Sequence, residues 1–359
     1  MTTPEIPKKH KAVIYDEPGK ISTKLVELDT PEPGPGEVLI NLTHSGVCHS
    51  DLGVMTNRWA GLPFPTQPGQ VGGHEGVGRV VKCGPGTEHS TVKVGDRVGI
   101  KWISGICDSC PACLAGHDGV CFNAKVSGYY TPGTFQQYVL GPANYVTPIP
   151  ESLPSDAAAP MLCAGVTVYS ALRKSGAQAG DTIAILGAGG GLGHLACQIA
   201  AKGMGIRVIG IDAGNKKDLA MECGAEVFID HTQGKAEEEV KAATGGLGVQ
   251  AVLVLTAANA AYASSMGMLK FGGTLVCVGL PEGELKAIAT AYPQFLVAKA
   301  QKIVGVAVGN RKEAIETLQF AERGLVKTHF TTAKPEELTS IFERMDKGEI
   351  SGRVILDLS

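Results

Sequence analysis

Four cysteines, Cys107, Cys110, Cys113 and Cys121, crowd into the stretch CDSCPACLAGHDGVC of a chain that has only ten. Their C-x2-C-x2-C-x7-C spacing allows two kinds of chemistry. Oxidised, the sulfurs are covalent staples. Reduced, short C-x2-C loops let neighbouring thiolates converge on one tetrahedral ion. A shell of four sulfurs leaves no position for a substrate, so a zinc held there would brace a loop and do no chemistry. An iron–sulfur cluster is the competing metal reading, but ferredoxin-type runs place a cysteine before proline, whereas Cys121 precedes Phe122. Structural zinc is the expectation.

The redox compartment separates staple from ligand. The N-terminal stretch MTTPEIPKKHKAVIYDEPGK has neither the apolar core of a secretory signal nor the Arg-rich pattern of a transit peptide. No run of about 18 apolar residues offers a membrane span. A cytoplasmic protein without membrane attachment is expected, and disulfides are disfavoured in that compartment. A net charge of -3 with no basic run argues against nucleic acid as a partner.

A second set of metal-type donors is dispersed: Cys48 in GVCHSD, His74 and Glu75 in GGHEGVG, and Cys163 in MLCAGVTVY. Each alone has an ordinary explanation, since a buried cysteine is a small hydrophobe and a buried histidine or glutamate is usually just paired. Together, Cys, His and Cys form a zinc donor set of the catalytic kind, which leaves a fourth position open to water or substrate.

The elements that must position these residues fall into two regimes. At 359 residues the chain exceeds a single hydrophobic core, and 44% hydrophobic with 19% charged residues is a globular composition. Residues 11–150 read as β-rich, with short apolar runs such as EVLINLTHSGV and VGDRVGIKW cut by Gly and Pro turns. Ser155 is placed to cap a helix opening the alanine run that follows. Beyond it, apolar strands alternate with helices: TIAILGA, RVIGID, EVFID, AVLVLTA and TLVCVGL. Continuous apolar strands alternating with helices predict a doubly wound parallel sheet, and the fold class is α/β with a second, β-rich domain.

Between the first strand and helix of that alternation lies AILGAGGGLGHLACQ, where a pyrophosphate would meet a helix start. The strict G-x-G-x-x-G pattern fails from Gly187, because Leu192 occupies the last glycine position. Aligned on the later glycines the loop reads Ala188-x-Gly190-x-x-Gly193, with Gly191 inside it. Asp212 strengthens the assignment: it ends the next strand, 19 residues after Gly193, where an acid binds the ribose hydroxyls. A carboxylate there repels a 2′-phosphate, so NAD is expected over NADP.

With these residues in place, the chain resembles the zinc-dependent medium-chain alcohol dehydrogenases, and most of all the tetrameric yeast-type enzymes. GVCHSDL, PGQVGGHEGVG, the four-cysteine lobe, GTFQQYV, LCAGVTVYSAL, VGNRKEA and GRVILD match in order along nearly the whole chain. The resemblance implies that Cys48, His74 and Cys163 hold a catalytic zinc, acting as a Lewis acid that lowers the pKa of the alcohol. It further implies that Asp51 fixes the His74 tautomer, that Glu75 lies close behind the metal, and that Ser50 begins a proton relay. His49 and Arg353 would contact the cofactor pyrophosphate, Lys217 the adenosine ribose, and Val278 would lie near the nicotinamide ribose. Trp102 would narrow the substrate pocket. One position departs from the pattern: many relatives carry a relay histidine where this chain has Gly53, so water or His49 would have to carry the proton.

The implied architecture is a GroES-like catalytic domain over 1–165, completed by 302–359, with a Rossmann NAD-binding domain over 166–301 and the active site in the cleft. The implied reaction is reversible hydride transfer between a small primary or secondary alcohol, such as ethanol, and NAD, with two zinc ions per subunit. A homotetramer follows from the resemblance alone. Two other readings stay open: a related zinc dehydrogenase of larger aromatic alcohols or polyols, and a non-catalytic zinc-binding interaction protein that uses the 107–121 lobe.

Overall fold

The computed structural model describes residues 5–359. The chain divides into two units: one runs up to Cys163 and includes Asn310–Glu322 and Phe330–Ser359, the other comprises Ala164–Gly309 and Arg323–His329.

In the first unit the Gly and Pro turns cut the apolar runs into short strands. The longest, Glu37–Val47, pairs antiparallel with Gly76–Cys83, Tyr138–Pro142 and Arg353–Asp357. The sheet continues through Arg97–Ile100 to Thr147–Pro148 on one side and ends with Phe330–Ala333 on the other. Val38, Leu39, Ile40 and Leu42 are almost wholly buried at its centre. Its C-terminal strand thus comes from the far end of the sequence, which is what brings Arg353 next to residues numbered below 80.

The second unit carries the parallel sheet. Its order is Val227–Asp230, Arg207–Asp212, Thr182–Leu186, Val249–Val254, Leu269–Cys277, Lys302–Gly305, every neighbouring pair parallel. This is the 3-2-1-4-5-6 order of dinucleotide-binding folds, whose ligand lies off the carboxyl ends of the central strands. Ala184, Leu186, Ile209, Ile211, Val252 and Val254 share one buried cluster with Tyr262 and Met266. Burial on both faces explains why these strands read as continuous apolar runs and not as alternating ones.

Three expectations change. The boundary placed at 302 moves to 310, because Lys302–Gly305 pairs with Leu269–Cys277 as the sixth strand. Residues 323–329 also belong to the second unit. Gln198 binds Lys327 through both its amide oxygen and its amide nitrogen, each at 2.9 Å, and the His329 N–H donates to His194 Nε2 at 3.2 Å. Ser155 is the first residue of helix Ser155–Ala158, preceded by Pro154, and its hydroxyl receives Arg97 Nη2 at 2.9 Å in place of capping the helix.

Candidate metal centres and dinucleotide site

The chain leaves strand Glu37–Val47 and turns directly into helix His49–Met55, so Cys48 lies at the helix start. Asp51, in the first turn, accepts the Cys48 N–H on Oδ2 at 2.9 Å and His74 Nδ1 on Oδ1 at 2.8 Å. A carboxylate can only accept, so Nδ1 carries the hydrogen and the Nε2 lone pair faces away from Asp51. Nε2 lies 3.2 Å from Cys163 Sγ. Cys48, His74, Glu75 and Cys163 are all buried and offer donor atoms within 4.8 Å of one another.

The electrostatics of this cluster call for a cation. The contact with Cys163 holds the Cys48 thiol well below its ordinary pKa, helped by the Arg353 and His74 charges and opposed by burial. Cys163 is correspondingly pushed well up by its thiolate neighbour. Burial opposes charge on the His74 ring, yet Asp51 and Cys48 raise its pKa well above the ordinary value. Glu75 is pushed up to about 7 by burial, although it is ion-paired with Arg353. Among the described residues its Oε2 has no hydrogen-bond partner, and its Oε1 lies 4.0 Å from His74 Nε2. A buried thiolate, a second sulfur beside it, an imidazole nitrogen turned toward both and an orphaned carboxylate oxygen fit a divalent ion with thiolate and imidazole ligands.

The four-cysteine lobe is a separate centre. Sγ separations are 3.5 Å for Cys110–Cys113, 3.6 Å for Cys107–Cys121 and 4.0 Å for Cys107–Cys113. Four sulfurs at about 2.3 Å from one tetrahedral ion lie about 3.8 Å apart. All four donors are within 4.8 Å of one another, too close for sulfurs that must reach separate irons of a cluster. All ten cysteines are free thiols here, which leaves the four sulfurs of the lobe available as ligands. Backbone N–H groups of Ser109 and Cys110 bring Cys107 down to about 5, while burial and the other sulfurs push Cys113 up to about 12. A zinc ion binds thiolates and displaces the protons that the crowded sulfurs still hold.

In the second unit the glycine loop follows strand Thr182–Leu186 and leads into helix Gly193–Gln198. A Cβ on Gly193 would lie 1.9 Å from the Gly187 carbonyl oxygen, so only glycine lets the helix start close against the strand end. At Gly190 a Cβ would meet nothing nearer than 3.3 Å, so its small size leaves room that the protein itself does not use. Asp212 ends its strand as expected and is half-buried. Its Oδ2 accepts the Gly189 N–H at 2.9 Å and its Oδ1 the Ala213 N–H at 2.8 Å, which ties strand end to loop. Ala188 is buried, while Gly191 and Leu192 are half-buried. Lys217 is exposed at the start of helix Lys217–Glu222, and Val278 follows strand Leu269–Cys277 directly.

In the first unit His49 is exposed and Ser50 half-buried beside Cys48. Arg353 is buried against Glu75. Trp102 meets the His74 ring edge-on, with centroids 4.9 Å apart. Sequence reasoning missed Trp59, whose indole packs edge-on against Trp102 at 6.2 Å and whose buried Nε1 has no hydrogen-bond partner among the described residues. Nothing in its flanking sequence marks it, because its neighbours in space are remote or lack a side chain.

Comparison with known proteins agrees with this geometry. Residues 34–151 match the family described as "Alcohol dehydrogenase GroES-like domain", and residues 191–323 match "Zinc-binding dehydrogenase". Alcohol dehydrogenase 2 of Emericella nidulans is 64% identical over 367 residues, with 100% of both chains covered. Among solved structures, an alcohol dehydrogenase from the hyperthermophilic archaeon Aeropyrum pernix superposes with a TM-score of 0.86 at 29% identity, covering 97% of this chain and 99% of that one. An acetophenone reductase from Geotrichum candidum in complex with NAD gives 0.84 at 29% identity, with 98% of each chain covered. The chain belongs to the zinc-binding, NAD-dependent alcohol dehydrogenases, with a GroES-like domain and a parallel-sheet dinucleotide domain.

Proposed function

We propose that the protein interconverts small primary or secondary alcohols, such as ethanol, with their aldehydes or ketones, using NAD and two zinc ions per chain. The observation that carries this reading is the buried Cys48–His74–Cys163 set, with His74 oriented by Asp51. Bound there, zinc would supply a Lewis acid that lowers the pKa of an alcohol, and NAD would supply the hydride acceptor. The rest is positioning. Asp51 keeps the Nε2 lone pair of His74 free for the metal, and the Glu75–Arg353 pair sets the charge behind it. Ser50 takes the hydroxyl proton of the alcohol and passes it outward through water or His49. Asp212 binds the adenosine ribose with Lys217 beside it, and Val278 flanks the nicotinamide ribose. His49, and the N–H groups of Arg353 that Glu75 leaves free, meet the pyrophosphate. Cys107, Cys110, Cys113 and Cys121 hold the second zinc, which stabilises the fold.

Trp102, with Trp59 against it, favours short alcohols over aromatic ones or polyols. Steady-state kcat/KM over a panel of alcohols and aldehydes with NAD and NADP, with and without a chelator, tests the assignment. Chelator-insensitive activity, or none with any alcohol, would refute it.

A homo-oligomer, tetrameric by resemblance, is part of the proposal. Lys302–Gly305 is the outer strand of its sheet, with Ile303 40% exposed, and Leu285 and Val297 are 81% and 82% exposed. An open strand edge with apolar residues nearby is a surface that association covers. Sedimentation equilibrium reads the mass directly. Among the described residues no helix is long and apolar enough to cross a membrane. A reducing compartment, the cytoplasm, suits ten free cysteines, and fractionation tests that placement.

A further inference from the structure

Gly53 sits inside helix His49–Met55, where glycine is disfavoured relative to alanine. Its backbone does not demand glycine, because it is not among the residues of positive φ. Its space does. A Cβ there would lie 2.8 Å from Trp59 Cε2, 2.9 Å from Nε1 and 3.2 Å from Cζ2. Comfortable contact between such atoms is about 3.5–4.0 Å, so a side chain would drive the indole back by roughly 1 Å. No hydrogen bond among the described residues anchors Nε1 against that displacement, so packing alone sets where the ring lies. The ring touches Trp102, and Trp102 touches His74, so the indole is two contacts from a metal ligand.

We infer that Gly53 is a positioning residue for substrate selectivity: having no side chain, it seats the Trp59 indole, and the seated indole fixes the room left for the carbon chain of the alcohol. The same contact explains why no relay side chain stands at this position. The indole fills the space that such a side chain needs, so Gly53→His cannot restore a relay without unseating Trp59.

This inference rests on the proposed activity for its kinetic arm but not for its spectroscopic one. The chain has two tryptophans, Trp59 and Trp102, so its intrinsic emission and near-ultraviolet circular dichroism report on this pair. The test compares wild type, Gly53→Ala, Trp59→Leu and the double variant, all as full-length zinc-loaded enzyme. One methylene of fit in an apolar pocket is worth about 10–200-fold in kcat/KM. Gly53→Ala is therefore expected to change the ethanol to 1-butanol ratio of kcat/KM by about tenfold, together with the tryptophan spectra. Trp59→Leu ends short of the ring atoms that the new Cβ meets, so in that background Gly53→Ala changes the ratio by less than about twofold. Trp59→Leu alone, which leaves the helix untouched, must also shift the ratio. Unchanged spectra, an unchanged ratio, or the same shift in both backgrounds overturns the inference. Absence of alcohol turnover by the wild type, with the spectral coupling intact, refutes the proposed activity instead.

Discussion

Replacing Asp212 by alanine removes two roles at once. Its carboxylate braces the glycine loop through the Gly189 N–H at 2.9 Å, and its remaining lone pairs are those that a ribose hydroxyl would use. A hydrogen bond to a charged group contributes about 1.5–3 kcal/mol. Loss of the ribose bond alone therefore weakens NAD binding by about 10–150-fold. Loss of the brace adds to this, because the loop must then be ordered at the expense of binding. Asp212→Asn separates the two, since it keeps one acceptor oxygen and removes the charge. Titration of NADH by fluorescence, with kcat/KM ratios for NAD over NADP, measures both. Asp212→Ala should raise the NADH Kd at least tenfold and relax rejection of NADP. Asp212→Asn should relax NADP rejection as much while costing less NADH affinity. Wild-type affinity and undiminished rejection of NADP in Asp212→Ala would refute the ribose role. Equal losses of NADH affinity in the two variants would refute the brace.

Three further outcomes follow from buried groups. Lys101 is buried with its Nζ 3.6 Å from the Tyr145 ring centroid, and burial brings its pKa down to about 7. An unfolded lysine titrates near about 10.4, so between about pH 7 and 10 the unfolded chain binds the extra proton and stability rises with pH by about 1.4 kcal/mol per unit. Lys101→Met should remove that slope; urea melts at three pH values read it, and parallel wild-type and variant dependences contradict it. Gly193→Ala puts a Cβ 1.9 Å from Gly187 O and 2.6 Å from Ala188 Cα, both backbone, so NADH binding should be lost and the melting temperature should fall. Unaltered NADH titration would show that the loop can open without cost. Arg353→Met leaves Glu75 buried without its counter-charge, a loss of about 3–5 kcal/mol in denaturant melts of the zinc-loaded protein. A loss below about 1 kcal/mol would mean that the metal alone balances Glu75.

The parts of the molecule that repeat a local pattern could be read from the sequence. Five of the six parallel strands announced themselves as apolar runs because both faces of their sheet are covered. The lobe could be read from spacing because its ligands are neighbours in the chain. Cys48, His74 and Cys163 were harder, since three distant segments must fold before their donors meet, and only resemblance joined them. The sixth strand, Lys302–Gly305, was assigned to the wrong unit because its partner lies across a connection with no periodic signal. The ion pair of Arg353 was not legible, because a lone arginine before an apolar run says nothing of Glu75, brought beside it by pairing of Arg353–Asp357 with Glu37–Val47. Gly53 read as a missing histidine, and only the packing shows it as the seat of Trp59.

Zinc stoichiometry by plasma mass spectrometry, measured alongside turnover on wild type, Cys163→Ser and Cys113→Ser, tests the central claim most directly. Two zinc ions per chain are expected in the wild type and one in each variant. Cys163→Ser should lose alcohol oxidation while retaining NADH binding and most of its thermal stability. Cys113→Ser should lose stability, because a closed thiolate site contributes folding free energy. One zinc per fully active chain, or undiminished alcohol oxidation in Cys163→Ser, would contradict the account.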